Sequence, residues 1–381
     1  GINKNKSSKI NILFNKNVCL NSNKTNYQIA LDYLKNYKFQ NGELKEKFIF
    51  LGNISIKNEN ENNPNYYYEI FGRYSNVSKE ELKENFEFMF NDVSKTKFNE
   101  ETAESNAFQH LPNHHDISQI EYLARKEFEQ FAHLLTKNGI TVHVIEGKIG
   151  LPDAVFPNNL FSTDRHGTWV DYPMMAANRQ MERALYPRTF LEEKGFEVHH
   201  HLDLTTWESK ARFLEGTGSL ILQPQQKSAW LALSPRAHLD VAQDWAQQTG
   251  YALHTFETSD LTGKSVYHTN VIMSIGTQWH FICPEMIPHF HTIKNSLEEL
   301  HSIEIQLSAE QVYQFCGNVL EVRNDHHTPF GILSSTAWNA LNTQQKRAWE
   351  KFLEPLIVSI PTIETIGGGS ARCMMAEIFL P

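Results

Sequence analysis

The sequence predicts an α/β protein preceded by a small α+β segment. Three observations lead to this fold class. Helical and strand-like patterns alternate after residue 100, loops rich in Gly and Asn separate them, and the composition changes abruptly near residue 100. A chain of 381 residues is long enough for two domains. We therefore predict an accessory segment of unknown role over residues 1–85 and an α/β domain over residues 86–381.

The accessory segment differs in composition from the rest of the chain. The first 100 residues contain 20 Asn and 14 Lys, whereas all 7 Trp and all 18 His lie beyond residue 109. Apolar spacing predicts helices over Thr25–Tyr37 and Ser78–Phe90, and strands over Lys47–Ile56 and Tyr66–Tyr74. Residues 1–15 are expected to be frayed. These patterns favour a small folded module, with a disordered tail as the alternative.

The larger domain begins with a long amphipathic helix, Ile117–Asn138, followed by a strand, Ile140–Ile145. Similar helix-then-strand steps recur, for about five steps in all. The later pairs are Arg179–Lys194 with Phe196–His199, Pro235–Thr249 with Tyr251–Phe256, Pro288–Leu300 with Ile303–Leu307, and Thr343–Leu356 with Ile357–Ile360. Reactive residues usually lie on the loops between such elements.

Charge and cysteine content exclude several classes of function. A net charge of −9 argues against a surface for nucleic acid or anionic membrane. No apolar stretch approaches the length of a membrane span, and Gly1–Leu20 lacks the apolar centre of a secretory signal. The 4 cysteines are too few and too scattered for a disulfide framework or a zinc cage. We expect a cytoplasmic protein, with a secreted effector as the alternative.

The segment Gly367–Met374 carries the strongest chemical signal. Its three consecutive glycines allow close approach of a substrate, and the backbone N–H groups of Gly368 and Gly369 could face developing negative charge. Cys373 ends this loop, which favours a nucleophile over a packed thiol. Cys283 and Cys316 stand in apolar surroundings and are predicted to be core residues.

A nucleophilic cysteine needs a base, and histidine is the usual partner. His268 lies between strand-like stretches in Tyr267–Val271, beside polar residues. Glu215, in Phe213–Leu220, could orient a histidine or hold a cation, with a turn glutamate as the alternative. The paired histidines elsewhere point to opposite strand faces, so no metal site is predicted.

Together with Pro152–Asn159, these segments resemble the guanidine-modifying (pentein) superfamily of arginine deiminases, dihydrolases and amidinotransferases. The motifs FPNN, LEGTGSL, YHTNV, FCGN and GGGSARCM are most similar to the citrulline utilization hydrolase branch, over about residues 99–381. The resemblance implies a five-bladed α/β propeller around a central active site. It also implies Cys373 as nucleophile, His268 as acid and base, Glu215 as its acidic partner, and no metal or organic cofactor.

One departure from the deiminase pattern bears on the substrate. Two aspartates that grip a guanidinium in arginine deiminases match Asn159 and Asn270 here. An amide offers donors and an acceptor without charge, which suits a neutral ureido group better than a cation. The sequence therefore predicts a citrulline-like substrate.

The resemblance also suggests residues for the rest of the substrate. Arg236 and Arg179 match arginines that bind the substrate carboxylate, and Asp153 could take the α-ammonium. Phe156 and Asn318 complete the predicted substrate-binding set, with a turn residue as the alternative for Asn318.

The predicted function is a cysteine-dependent hydrolase of a ureido or guanidino C–N bond in an amino acid. Alternatives on the same scaffold are an arginine deiminase, a methylarginine hydrolase or an amidinotransferase. A binding module or secreted effector is the non-enzymatic alternative. The expected partner is a small amino-acid substrate, and the protein could be a homo-oligomer.

Overall fold

A computed structural model describes residues 11–15, 99–103, 105–109, 117–145, 151–185 and 188–381. The elements predicted between residues 25 and 90 lie outside these ranges, as does Cys19. The domain boundary near residue 85 therefore stays a prediction.

The described strands form five three-stranded sheets of one repeated design. In each sheet the central strand pairs antiparallel with one neighbour and parallel with the other. A parallel pair requires a crossover connection, which helices supply here. The strands are β1 Asn11–Asn15, β2 Val142–Ile145, β3 Phe161–Thr163, β4 Thr168–Asp171, β5 His200–Asp203, β6 Leu220–Gln223, β7 Ser228–Ala232, β8 Ala252–Phe256, β9 Met273–Ile275, β10 Trp279–Ile282, β11 Ile303–Gln306, β12 Leu320–Arg323, β13 Pro329–Ser334, β14 Glu354–Val358 and β15 Ala376–Ile378.

Helices connect the strands, so the predicted α/β class is confirmed. Polar caps set where several of them begin: Asn342 and Gln345, for example, form a capping box at the start of one helix. The α-helices are α1 Glu100–Ala103, α2 Ile117–Lys137, α3 Ala177–Glu182, α4 Arg188–Glu193, α5 Gly216–Ser219, α6 Leu239–Thr249, α7 Thr269–Ile272, α8 His291–Glu298, α9 Ala309–Tyr313, α10 Ser335–Ala340, α11 Thr343–Trp349 and α12 Pro361–Gly367.

Two predicted helix-then-strand steps are wrong in detail. The helix expected over Arg179–Lys194 is instead divided into α3, a short 3-10 turn and α4. The strand expected at Phe196–His199 instead begins at His200, where β5 pairs with β4. The helix expected to reach Leu356 ends at Trp349, because Pro355 lies in β14.

The expectation that residues 1–15 are frayed is wrong for Asn11–Asn15. This segment forms β1, the central strand between β15 and β2. Sequence alternation alone gives little indication of this pairing, because both partners come from distant parts of the chain.

Buried apolar side chains fill the space between the sheets and their helices. On α2, the predicted apolar face is confirmed: Ile120, Ala124, Phe128, Phe131 and Leu135 are all buried. Among the described residues, no helix is long and apolar enough to span a membrane.

Candidate active site

Cys373 lies in a 3-10 turn, Ala371–Met374, between α12 and β15. The turn is held by Ser370, whose hydroxyl donates to the Glu364 carboxylate at 2.5 Å. The thiol is buried, with the Asn318 amide nitrogen 3.2 Å and the Asn270 amide nitrogen 3.6 Å from its sulfur. The structure thus brings residues from three of the predicted motifs around the sulfur of Cys373.

Burial raises the pKa of the Cys373 thiol, and hydrogen bonds from the Ser370 backbone and the Asn318 amide only partly oppose it. The group is therefore a neutral thiol near neutral pH. Its activation requires a base or a charge supplied when the substrate binds.

His268 and Glu215 form a buried pair. The His268 Nε2 atom lies 2.8 Å from Oε2 of Glu215. Glu215 is itself fixed, because Oε1 accepts the Met175 backbone N–H at 3.1 Å and Arg236 Nη1 lies 3.6 Å from Oε2. The residue pattern alone offered this pairing as one of several alternatives for Glu215, and the family resemblance implied it.

The pKa values of both side chains are lowered, and this sets the protonation of the pair. Burial alone would raise the pKa of Glu215, but Arg236 and the hydrogen bond from His268 lower it to about 2. Burial lowers the pKa of His268, although Glu215 opposes the shift. At neutral pH the pair is a carboxylate and a neutral imidazole. Because a carboxylate only accepts, Nε2 must carry the proton, which leaves Nδ1 as the basic nitrogen.

The basic nitrogen faces the same space as Asn159. A Cβ atom placed on Gly218 would lie 2.9 Å from His268 Nδ1 and 2.4 Å from Asn159 Oδ1. That amide oxygen is buried and has no hydrogen-bond partner among the residues the structure describes. A buried acceptor without a partner is costly, so a ligand N–H at this place would be stabilised.

Asp153 and Arg236 are buried charges that contact the same stretch of chain. Oδ2 of Asp153 accepts from the Asn99 amide at 2.6 Å and the Thr102 hydroxyl at 3.0 Å. Arg236 Nη2 donates to the Thr102 carbonyl at 2.8 Å. Burial raises the pKa of Asp153, while Arg179 and the Thr102 hydrogen bond oppose this.

Arg179 is engaged inside the protein. Its Nε donates to Glu182 at 2.9 Å, and its Nη2 donates to the Phe156 carbonyl at 2.7 Å. Arg179 thereby fixes the backbone that leads into Asn159. Its predicted contact with a substrate carboxylate stays a prediction, as does that of Phe156, whose ring faces Gly369.

The expectation that Gly368 presents a free N–H to the substrate is wrong. This N–H donates to the Glu364 carbonyl at 2.9 Å, since Gly368 caps α12 with a φ of 65°. The Gly368 carbonyl accepts from the Tyr267 hydroxyl at 2.7 Å. Gly369 remains the predicted backbone donor of this loop.

The two other thiols that the structure describes behave as core residues. Cys283 and Cys316 are fully buried, and burial raises their pKa values to about 11 and about 12. The described part of the chain holds no group of three or more His, Cys, Asp or Glu side chains arranged for a metal ion.

Sequence reasoning assigned no role to Asn158, although the FPNN motif contains it. The side chain is fully buried, and neither its Oδ1 nor its Nδ2 has a partner among the described residues. Tyr267 was also missed. It lies against His268 at a ring distance of 4.6 Å and under Arg236 at 5.1 Å.

The sequence was compared with models of known protein families. The sequence profile described as "N,N dimethylarginine dimethylhydrolase, eukaryotic" matches residues 92–380. The chain belongs to this family. Membership confirms the predicted superfamily of guanidine-modifying enzymes. Comparison with curated proteins found no match.

Solved structures similar to this member of the dimethylarginine dimethylhydrolase family share its fold. The N-terminal domain of ArgZ, an arginine dihydrolase from the ornithine–ammonia cycle in cyanobacteria, was solved as a cysteine-to-serine mutant bound to substrate. It is 17% identical with a TM-score of 0.56, over 72% of this chain and 92% of that chain. A dimethylarginine dimethylhydrolase from Pseudomonas aeruginosa, also a cysteine-to-serine mutant and complexed with citrulline, is 11% identical with a TM-score of 0.54, over 73% and 95%.

A third similar structure is AgrE, a cysteine-to-alanine mutant in a binary complex with L-arginine. It is 17% identical with a TM-score of 0.53, over 67% of this chain and 35% of that chain. The three matches show that this mixed α/β fold is shared with these three proteins.

Proposed function

We propose that this protein is a cysteine-dependent hydrolase of a ureido C–N bond in an amino acid, with citrulline as the best-fitting substrate. The observation that carries the proposal is the set of neutral amides at the nucleophile. Asn270 and Asn318 adjoin the Cys373 sulfur, and the buried side-chain oxygen of Asn159 has no hydrogen-bond partner among the described residues.

The charges of the site support a neutral reacting group. Arginine's guanidinium remains a cation and is bound best by carboxylates in a bidentate arrangement. Glu215 is already paired with His268 and lies near Arg236. An amide oxygen can accept from a ureido NH₂, and an amide NH₂ can donate to a ureido carbonyl.

The proposed reaction has two steps. The Cys373 sulfur attacks the ureido carbon while its proton passes, by way of His268 Nδ1, to the leaving nitrogen. Ammonia departs and leaves a thiocarbamate on sulfur. Water then attacks this carbon, His268 Nδ1 accepts its proton, and the proton returns to sulfur. The released carbamate decomposes to an amine and carbon dioxide, so citrulline gives ornithine.

The far end of the substrate requires charged partners. Asp153 suits an α-ammonium and Arg236 suits an α-carboxylate, since each is a buried charge of the opposite sign. Arg179 acts on Asp153 electrostatically and supports the same end of the site.

The proposed architecture is a five-bladed propeller with the site at its centre. Its support is the repetition of one three-stranded design in five sheets among the described residues. Motifs from different repeats then meet at Cys373, as the contacts with Asn270 and Asn318 require.

A second candidate is hydrolysis of a guanidino group. It is favoured by the family description, which concerns dimethylarginine, and by the similarity to an arginine dihydrolase. The two candidates share the nucleophile and differ only in the group that Asn159 and Asn270 face.

One assay separates them. Release of ammonia from citrulline and arginine, and of methylamine or dimethylamine from methylarginines, is measured beside the Cys373→Ala variant, with products identified by mass spectrometry. Conversion of citrulline to ornithine that is lost in the variant supports the proposal. Turnover of arginine without turnover of citrulline rejects it in favour of the second candidate.

A further inference from the structure

The chain segment over residues 99–103 and 105–109, here called the strap, contacts the loops that carry the site. Asn99 and Thr102 donate to Asp153, and Thr102 accepts from Arg236. Further along, the Gln109 amide donates to the Ile366 carbonyl at 3.3 Å, just before the loop of the nucleophile.

Thr102 joins two opposite charges. Its hydroxyl lies 3.0 Å from Asp153 Oδ2, and its carbonyl oxygen lies 2.8 Å from Arg236 Nη2. Ser105 adds a second contact on the cation, because its hydroxyl accepts from Arg236 Nε at 3.0 Å. The strap therefore fixes the position of an anion and of a cation at the same time.

These contacts leave one side of each charged group for a ligand. Both hydrogen bonds that the strap makes to Asp153 go to Oδ2, and no bond from another described residue to Oδ1 competes with a further donor there. On Arg236, the strap engages Nε and Nη2. Nη1 forms an ion pair with Glu215 at 3.6 Å, which is outside hydrogen-bond distance, so among the described residues its N–H groups can still donate to a further acceptor.

The packing of the strap indicates that it stays in place. Thr102 is 2% exposed and Phe108 is 7% exposed. The Phe108 ring stacks on Tyr313 at 5.2 Å and lies 5.3 Å from Phe315. Lifting the strap would expose this aromatic cluster and leave Asp153 with no described donor, both of which are costly.

We propose that Thr102 and Ser105 are positioning residues that set selectivity for a zwitterionic α-amino-acid end of the substrate. Thr102 orients Asp153 toward an ammonium, Ser105 orients Arg236 toward a carboxylate, and the substrate binds with the strap in place. The inference rests on the proposed function, in which Asp153 and Arg236 bind the α-ammonium and α-carboxylate of the substrate.

Binding to the Cys373→Ala protein tests this without turnover. The ligands are citrulline, δ-ureidovalerate, which lacks the ammonium, and N-carbamoylputrescine, which lacks the carboxylate. Calorimetry measures their affinities in the parent and with Thr102→Val or Ser105→Ala added. Thr102→Ser and Ser105→Thr keep the hydroxyls and are the matched controls, and melting temperatures show that each variant is folded.

Thr102→Val is expected to weaken the binding of citrulline roughly three- to tenfold. The affinity for δ-ureidovalerate should be unchanged, because that ligand has no ammonium. Ser105→Ala is expected to weaken the binding of citrulline to a similar extent. The affinity for N-carbamoylputrescine should be unchanged, because that ligand has no carboxylate. The hydroxyl-keeping controls should bind like the parent.

Equal weakening of all three ligands would show a merely structural role, and tighter binding would show a strap that blocks the site. Either result overturns the inference. If ureido ligands do not bind, arginine, δ-guanidinovalerate and agmatine repeat the same comparison. Binding of these guanidino ligands alone would reject the proposed ureido substrate but would still test the role of the strap. If neither series binds, both the proposed substrate and the inference about the strap are rejected.

Discussion

The Nε2 atom of His268 lies 2.8 Å from Oε2 of Glu215, and both side chains are almost fully buried. Because the pKa of Glu215 is about 2, this oxygen is an acceptor at neutral pH and determines the histidine tautomer. The basic nitrogen is consequently Nδ1, on the side of Gly218 and Asn159.

Glu215→Gln should remove the selection of the His268 tautomer. The amide can offer its own N–H to Nε2 and favour the wrong tautomer, so kcat should fall by about a hundredfold or more. Steady-state kinetics measures the loss. Glu208→Gln is the matched control, because Glu208 also accepts a backbone N–H, from Met174, and pairs with an arginine, Arg183. An equal loss in both variants would contradict the tautomer argument.

Asn159→Asp and Asn270→Asp, tested singly, should shift selectivity toward guanidino substrates. Each substitution adds a buried carboxylate, which can pair with the cationic guanidinium of arginine but has no opposite charge to pair with on a neutral ureido group. The ratio of kcat/KM for arginine to that for citrulline should rise about tenfold. Asn342→Asp makes the same chemical change at a helix N-cap, where both residues cap well. A ratio unchanged in the site variants would show that these amides do not contact the reacting group.

Gly218→Ala should inactivate the enzyme without unfolding it. The added methyl group would overlap Asn159 Oδ1 and His268 Nδ1, and displacing either by about 1 Å can cost roughly a hundredfold in kcat. Gly263→Ala is the comparison, because nothing lies within 4 Å of its added Cβ and its φ of 82° affects only stability. Kinetics and melting temperature together separate the two effects. Normal kcat in Gly218→Ala would place the reaction elsewhere.

The rate of alkylation of Cys373 by iodoacetamide should rise steeply with pH. The thiolate reacts, and burial raises the pKa of this thiol, so labelling of the empty enzyme should be slow at neutral pH and increase about tenfold per pH unit. Mass spectrometry resolves Cys373 from Cys283 and Cys316, which serve as internal references. Rapid labelling that is independent of pH above neutrality would show a resting thiolate and contradict this reading.

Much of the fold could be predicted from local patterns. The 3.6-residue spacing on α2 identified its buried face, and Gly and Pro positions marked many ends of elements. The start of β5 could not be predicted, since pairing with β4 rather than local propensity selects His200–Asp203. The same is true of β1, whose partners lie more than a hundred residues away.

The motifs predicted the residues that meet at Cys373, because short loops with glycine and polar side chains carry a local signal. The motifs did not predict which acceptors the Arg179 and Arg236 side chains hydrogen-bond to. Those bonds go to Phe156 and to Thr102, whose backbone carbonyls are brought near only by tertiary folding. The engaged N–H of Gly368 was missed for the same reason, as it depends on where α12 ends.

Strand β1 has a consequence for any shortened form of the protein. A chain beginning at residue 86 would lack it, and β2 and β15 would each present an open edge of unsatisfied backbone groups. Such edges recruit other chains, so aggregation should accompany truncation. β15 begins at Ala376, directly behind the turn that holds Cys373. The nucleophile is thus tethered to a strand whose own neighbour comes from the opposite end of the sequence.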